Sequence, residues 1–300
     1  MSFFCYVSRL VIMVVRILPN PLDILCLRVY NKLLKLCSGK VHNARTYFGS
    51  SVVCDLDDII QRFIFYFGFW EPMVSHVTEQ LLREGDVYVD VGANIGYDSL
   101  LASNCVGDSG KVVSIEASPR IYRLLANNIS RNKASNIRTV NMAASDSRKT
   151  LTIYAGESGN IGKSTTIKAR GLHEECSIQA IPIDKILTVD ELKRVHLIKI
   201  DIEGAELPVL NNLIDNVAKY PDNISIIVEA SVQDNPTEWA SVFLRFQEAG
   251  FVAYEIENQY GYDWYLRYRN HSSLRLIKNL PKSQTDILLT RTALPATLGD

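Results

Sequence analysis

The chain lacks an excess of charge of either sign, a paired cysteine motif and a long unbroken apolar run. Its 300 residues hold 32 Lys and Arg against 33 Asp and Glu, a formal net charge of -1. No global basic field therefore recommends nucleic acid as a substrate, though a local patch is left open. The 6 cysteines (Cys5, Cys26, Cys37, Cys54, Cys105, Cys176) form no C-x-x-C pair and no zinc spacing. Reduced thiols in a cytoplasmic protein are the expectation. His42, His76, His173, His196 and His271 show no metal-ligand spacing either, and His196 reads as a satisfied histidine at a strand start. Phe3 to Leu36 is strongly apolar, but Arg9, Arg16, Asp23, Arg28, Lys32, Pro19 and Pro21 interrupt it. A membrane-spanning helix needs about 20 apolar residues in a row, so none is expected there. With no positive residue before the apolar start and no clear small-residue cleavage site, a signal peptide is disfavoured. Two helices remain, one before Pro19 and one from Leu22 to Leu36. They either pack on the following domain, which helical apolar faces usually do, or lie at a membrane surface. Internal repeats and low-complexity stretches are absent.

What the chain does contain is Val87-Tyr88-Val89-Asp90-Val91-Gly92-Ala93-Asn94-Ile95-Gly96-Tyr97. The β-branched run before Asp90 has the length of a central parallel strand, which delivers ligands to its carboxyl end. Gly92 and Gly96 allow positive φ and close backbone approach, and Tyr97 to Leu101 reads as the first turn of a helix whose free N–H groups face the loop. An ordinary strand-to-helix turn would use similar glycines. The next strand weakens that reading. Lys111 to Ile115 ends in Glu116, roughly 20 residues after the loop, where a Rossmann-type site places an acid for ribose hydroxyls. Each charge-assisted bond there is worth about 1.5–3 kcal/mol. Ser118-Pro119 then reads as a helix N-cap with Pro at the first helical position.

A dinucleotide site requires G-x-G-x-x-G, and the string here is Gly92-Ala93-Asn94-Ile95-Gly96, directly preceded by Asp90. An acid at that point repels a pyrophosphate and suits a cation, such as the sulfonium and amino groups of S-adenosylmethionine. This argues against a nicotinamide-dependent oxidoreductase. A binding protein with a vestigial cofactor pocket is the other alternative, and intact Asp90, Gly92, Gly96 and Glu116 argue against decay.

Several separated blocks carry a more specific resemblance. They are GDVYVDVGANIGY (Gly85 to Tyr97), VSIEASP (Val113 to Pro119), LANNISRN (Leu125 to Asn132), NMAASD (Asn141 to Asp146) and LIKIDIEGAELPVL (Leu197 to Leu210). From about Trp70 to the C-terminus the chain resembles the FkbM family of S-adenosylmethionine-dependent methyltransferases. In that family's D-x-G-A-N-x-G loop an Asn stands where many methyltransferases have the middle Gly, and Asn tolerates left-handed backbone better than most residues. The resemblance implies a Rossmann-like class I methyltransferase fold, α/β, with a seven-stranded mostly parallel sheet, helices on both faces and an antiparallel last strand. It divides the chain into an N-terminal helical extension (residues 1–69) and a methyltransferase domain (residues 70–300). It further implies S-adenosylmethionine as cofactor, held by Asp90, Gly92, Ala93, Asn94, Gly96, Glu116, Ser118 and Ala144. The acceptor implied is a hydroxyl of a small molecule, sugar or glycan. No nucleic-acid partner is expected, and peripheral membrane contact or self-association through residues 1–40 is left open.

The order of elements agrees. Glu71 to Arg83 places Val74, Val77, Leu81 and Leu82 on one helical face. Further strands are expected at Lys111 to Glu116, Asn136 to Ala143, Val195 to Asp201, Ile224 to Glu229, from Gly250-Phe251, and at Thr285 to Thr290, with a helix at Trp239 to Ala249. Thr150 to Tyr154 and Ser177 to Pro182 are expected to pair around Gly156 to Glu175, an insertion rich in Gly, Ser, Thr and charge. Segments of that length are often functional, and Ser164, Thr165, Thr166 and His173 are candidates to meet the acceptor.

Chemistry is expected at the end of the strand Val195 to Asp201, where Lys199 and Asp201 share a face. A lysine on the covered face of a central strand needs a partner, which Asp201 or Glu229 supplies. Methyl transfer is an in-line displacement, so the enzyme must align the reacting atoms and remove the acceptor's proton. Asp201 is the first candidate carboxylate, with Glu203 and Lys199 next. A bracing ion pair, with Glu203 and Glu206 as ordinary first-turn acids, is the competing account. A metal-assisted variant would have Asp201 and Glu229 share Mg²⁺, but two carboxylates are too few ligands to assign one. Tyr260, Tyr262, Trp264, Tyr265 and Tyr268 suit core packing first and an acceptor ring or sugar face second.

Overall fold

A computed structural model describes residues 39, 41–155, 159–168, 172–268, 274–295 and 297–298, so the helices expected before Leu36 lie outside the described residues. The chain divides into two compact units.

The smaller unit holds the described residues up to Pro72 together with 159–160 and 259–268. An antiparallel hairpin, β1 (Val41–Arg45) with β2 (Ser51–Asp55), precedes helix α1 (Ile59–Phe67). Asp58 caps α1 by accepting from the N–H of Gln61, and Gly68 ends it in the left-handed conformation. Residues 1–69 were expected to be a helical extension, and within it residues 41–55 form a β-hairpin instead. Their apolar residues recur every second position, at Val52 and Cys54, which are fully buried. Phe63 stacks on Tyr262 at 4.7 Å and meets Tyr265 edge-on at 4.3 Å. Tyr265 is fully buried and its hydroxyl accepts from the N–H of Glu71 at 3.1 Å. Tyr265 thus packs as core, while Tyr260 is 46% exposed.

In the larger unit, helix α2 (Pro72–Leu81) buries Val74, Val77 and Leu81 as its periodicity predicts. Then follow β3 (Val87–Val91), α3 (Tyr97–Val106), β4 (Lys111–Ile115), α4 (Pro119–Asn132) and β5 (Ile137–Val140). A small-sheet segment comes next, with β6 (Ala143–Ala144), β7 (Lys149–Ala155) and β8 (His173–Ile181), and after it α5 (Ile183–Ile186) and α6 (Val189–Arg194). The chain continues through β9 (Val195–Ile200), α7 (Glu206–Asp215), β10 (Ser225–Ala230), α8 (Pro236–Glu248), β11 (Val252–Ile256), β12 (Leu274–Leu276) and β13 (Thr285–Thr290). The main sheet has the order β12-β11-β13-β10-β9-β3-β4-β5. All five residues of β3 are buried, as a strand covered on both faces requires. β3 pairs in parallel with β4 on one side and β9 on the other, while β13 runs antiparallel between β10 and β11.

This is the expected α/β class I methyltransferase architecture with eight strands in place of seven. The additional strand, β12, is three residues long and adds to the sheet edge beside β11, too short to leave a periodic signal. The strand expected at Asn136 to Ala143, β5, also ends earlier, at Val140. Asn141 turns its side-chain amide back onto the carbonyls of Glu116 and Ala117 at 2.8 and 3.1 Å, and Ala143–Ala144 then leave to pair with β8. The expected pairing of Thr150 to Tyr154 with Ser177 to Pro182 is present and extends from Lys149 to Ala155 against His173 to Ala180. Strand order reverses at β3, with β4 and β9 leaving in opposite directions, and open α/β sheets bind ligands at the carboxyl ends of strands there.

Candidate functional site

The chain leaves β3 through Gly92 at φ 88°, Asn94 at φ 47° and Gly96 at φ 92°. The N–H groups of Gly92 and Ala93 both donate to the carbonyl of Ile115, at 2.9 and 3.0 Å, which fastens the loop to the end of β4. An ideal Cβ on Gly92 would lie 1.8 Å from the carbonyl oxygen of Asp201. Two backbones therefore touch at the switch point, and the loop after β3 abuts the end of β9. Gly96 opens α3 with no side-chain cap, so the first amides of a ten-residue helix face the loop.

Glu116 completes the loop. Its Oε2 accepts from the N–H of Asn94 at 3.0 Å and its Oε1 from the N–H of Ser118 at 2.8 Å. Burial pushes its carboxyl up to about 7, against those two amides, which favour the charged form. A carboxylate oxygen holding one N–H still has a lone pair for another donor, which suits a ribose hydroxyl. Ser118 caps α4 by accepting from the N–H of Ile121 at 3.2 Å, and its own hydroxyl donates to Glu175 Oε1 at 2.6 Å. Glu175 comes from β8 in the insertion. No local sequence pattern announces it, because only the pairing of β7 with β8 brings it to α4. Ala93 and Ala144 are buried, Ala144 in β6 against Ile181.

Asp90 is 1% exposed, and its Oδ2 accepts from Ser99 Oγ at 2.5 Å while Ser114 Oγ donates to the same Ser99 oxygen at 2.7 Å. It therefore pins α3 to β3. Its Oδ1 is buried with no hydrogen-bond partner, and burial together with the Asp98 charge raises its carboxyl to about 7. A cation at the loop would relieve this by drawing the group to its ionised form. The loop, the uncapped α3 amides, the Glu116 lone pairs and the buried Asp90 oxygen fit a cationic nucleoside such as S-adenosylmethionine.

Beside the loop, Lys199 is 3% exposed on β9 and its Nζ donates to Asp201 Oδ2 at 2.9 Å. It also lies 3.5 Å from Asp98 Oδ2, in the first turn of α3. Asp286, buried on β13, accepts from Asn258 Nδ2 at 2.6 Å, and burial raises its carboxyl to about 6. The Lys199 ammonium lowers, and the Asp201 charge raises, the carboxyls of Asp90, Asp98 and Asp286. The sequence points to Asp201 as the partner of Lys199 but not to Asp98. The available signal for Asp286 is an acid inside an otherwise apolar strand. Glu229 stands opposite Asp286 in the β10–β13 register. Among the described residues no group of three or more His, Cys, Asp or Glu side chains is arranged to hold a metal ion.

After β9 the chain passes through Glu203 at φ 56° and Gly204 at φ 97°. Glu206 is 1% exposed, and its Oε1 accepts from the N–H groups of Gly204 and Ile202 at 2.8 and 3.2 Å. Burial raises this carboxyl to about 7. Of the insertion residues considered for the acceptor, Thr165 reaches this loop, but its hydroxyl donates to the carbonyl of Glu203 at 2.9 Å and is 2% exposed. His173 is exposed at the start of β8. His196 is a satisfied histidine, its Nδ1 paired with the Asn223 amide at 3.0 Å.

Residues 90–262, more than half of the chain, match the Methyltransferase FkbM domain. Methyltransferase 1 of Beauveria bassiana is 27% identical over 185 residues, which is 55% of this chain and 71% of that protein. Among solved structures, a putative rRNA-methylase from Clostridium thermocellum aligns with a TM-score of 0.46 at 8% identity, over 75% of this chain and 96% of that one. M. jannaschii TYW2 in complex with AdoMet aligns with a TM-score of 0.44 at 14% identity, over 84% of this chain and 86% of that one.

Proposed function

The chain belongs to the FkbM-domain methyltransferases, and on that premise we propose that it methylates a hydroxyl oxygen of a sugar, glycan or secondary metabolite. S-adenosylmethionine, when bound, supplies a methyl group on a positively charged sulfur. Asp90, Gly92, Ala93, Asn94, Gly96, Glu116, Ser118 and Ala144 would hold it, with Glu116 taking the ribose hydroxyls. The observation that carries the choice of oxygen is the contact between the Gly92 and Asp201 backbones. It brings the Asp201 backbone to the edge of the cofactor loop, which supports the Asp201 carboxylate as the group that accepts the proton a hydroxyl gives up on methylation. Lys199, bonded to the same carboxylate, holds it in place. The absence of a global basic field supports a neutral or small acceptor over nucleic acid.

Incubating the protein with labelled S-adenosylmethionine and cell extract, then fractionating by mass, tests the proposal. Label in a base-stable methyl ether supports it. Label confined to base-labile methyl esters, to nitrogen or to RNA overturns it.

Cofactor affinity is expected to depend on pH with a defined sign. Glu116 accepts ribose hydroxyls best as a carboxylate, and its carboxyl titrates at about 7 without ligand. Binding of S-adenosylhomocysteine, followed by calorimetry, should therefore tighten as pH rises from 6 to 8 and release protons. In Glu116→Gln the part of the slope due to this group disappears and affinity falls by about 10- to 100-fold, the equivalent of about 1.5–3 kcal/mol. An unchanged pH slope in that variant would contradict the assignment.

A further inference from the structure

The peptide joining Glu203 to Gly204 is held on both sides by side chains from different parts of the chain. Its carbonyl oxygen accepts from Thr165 Oγ1 at 2.9 Å, and its N–H donates to Glu206 Oε1 at 2.8 Å. Thr165 is itself fixed. Its backbone pairs with Tyr154 in both directions, at 2.8 and 3.1 Å, and its hydroxyl also accepts from the N–H of Ile167 at 3.2 Å. We infer that Thr165, delivered by the insertion, is a positioning residue for methyl transfer: with Glu206 it clamps the Glu203–Gly204 peptide and so fixes the loop that follows Asp201.

The physical need for a clamp is plain in the backbone. Glu203 sits at φ 56°, a region that L residues with a side chain adopt at a cost. Rotating that one peptide plane would change ψ at Glu203 and φ at Gly204, itself at 97°, and would loosen the turn between Asp201 and α7. A hydroxyl on one edge and a carboxylate on the other oppose that rotation. Thr165 lies 38 residues before Glu203, so the irregular segment within the β7–β8 hairpin acts on the loop through a hydroxyl that the Glu203 carbonyl already occupies.

The inference rests on the methyltransferase reading, and the test separates the two. Thr165→Val, Thr165→Ala and Thr165→Ser would be compared with the parent by three measurements. These are S-adenosylhomocysteine binding by calorimetry, amide hydrogen exchange of the peptide covering residues 202–206, and label transfer from S-adenosylmethionine to the cell-extract acceptor pool. In Thr165→Val, exchange at Gly204 should speed up by about tenfold, since one hydrogen bond fewer opposes local opening. Transfer should fall by about 10- to 100-fold with affinity for S-adenosylhomocysteine within about twofold of the parent, the pattern of a misplaced group. Thr165→Ser should restore both exchange and transfer, and Thr165→Ala, which adds no buried methyl, should repeat the valine result if the valine variant folds poorly. Unchanged exchange at Gly204, transfer and affinity lost in parallel, or failure of serine to rescue would each overturn the clamp. A parent that does not bind S-adenosylhomocysteine would instead overturn the cofactor reading, while the exchange measurement would still judge the clamp.

Discussion

Gly92→Ala is expected to abolish S-adenosylhomocysteine binding and to destabilise the protein by about 3–5 kcal/mol, lowering the melting temperature by about 10 °C. Two independent costs combine. At φ 88° an alanine is strained whatever space surrounds it, and here its Cβ would lie 1.8 Å from the Asp201 carbonyl oxygen and 2.9 Å from its carbon. The obstacle is backbone and cannot rotate away. Asp201 is tied to β3 by its N–H on the Val91 carbonyl at 2.9 Å, and Gly92 is tied to β4 through Ile115. Relief requires separating β9 from β3 at the switch point, where the cofactor loop is built. Gly96→Ala is the informative contrast. Its φ of 92° imposes similar backbone strain, but the nearest atom to the new Cβ is Leu125 Cδ1 at 2.8 Å, the end of a flexible side chain. That variant should cost about 1–2 kcal/mol and weaken binding without abolishing it. A Gly92→Ala protein that binds within about tenfold of the parent and melts at the parent's temperature would show that the two backbones do not meet as described.

That contact marks the boundary of what the amino-acid sequence discloses. The loop after β3 is legible because its conformation needs particular residue types, and Gly92, Asn94 and Gly96 take positive φ where the motif places them. Glu116 is legible because its distance from the loop in sequence fixes its distance in a βαβ unit. The Lys199–Asp201 pair follows from strand alternation. None of these signals says what lies across from them. Asp98 and Asp286 reach the Lys199 region from α3 and β13, and Glu175 reaches Ser118 from 57 residues away, so each is set by topology. Asp90 reads as an acid for a cationic ligand, yet its hydrogen bond to Ser99 gives it a second task, joining strand to helix. Thr165 reads as a loop hydroxyl, and only the folded β7–β8 segment turns it inward. Local pattern therefore identifies the residues whose conformation or spacing is special, and misses ordinary residue types made special by a distant partner.

Asp201→Asn and Lys199→Met, compared in one experiment, should have opposite consequences. Removing the charge of Asp201 leaves Lys199 within 3.5 Å of Asp98 and takes one anion from a cluster that raises the carboxyls of Asp90, Asp98 and Asp286. The fold and S-adenosylhomocysteine affinity should survive, with affinity within about threefold of the parent. Label transfer should fall by about 10²- to 10⁴-fold, the range for loss of a general base. Lys199→Met instead strips the ammonium from buried carboxylates, and breaking such a pair from one side costs about 3–5 kcal/mol. The pH dependence has a definite sign. Lys199 lowers the carboxyls of Asp90, Asp98 and Asp286, so without it their folded values rise further above the ordinary 3.8. A group raised in the folded state contributes stability that is full below its unfolded value and lost as pH rises through its folded value. Lys199→Met should therefore approach the parent's stability near pH 4–5 and fall furthest behind at pH 7–8, as read by urea denaturation. If Asp201→Asn instead transferred methyl groups at the parental rate while Lys199→Met unfolded, the pair would be a brace, and alignment of the acceptor by the surrounding loop would suffice for the reaction.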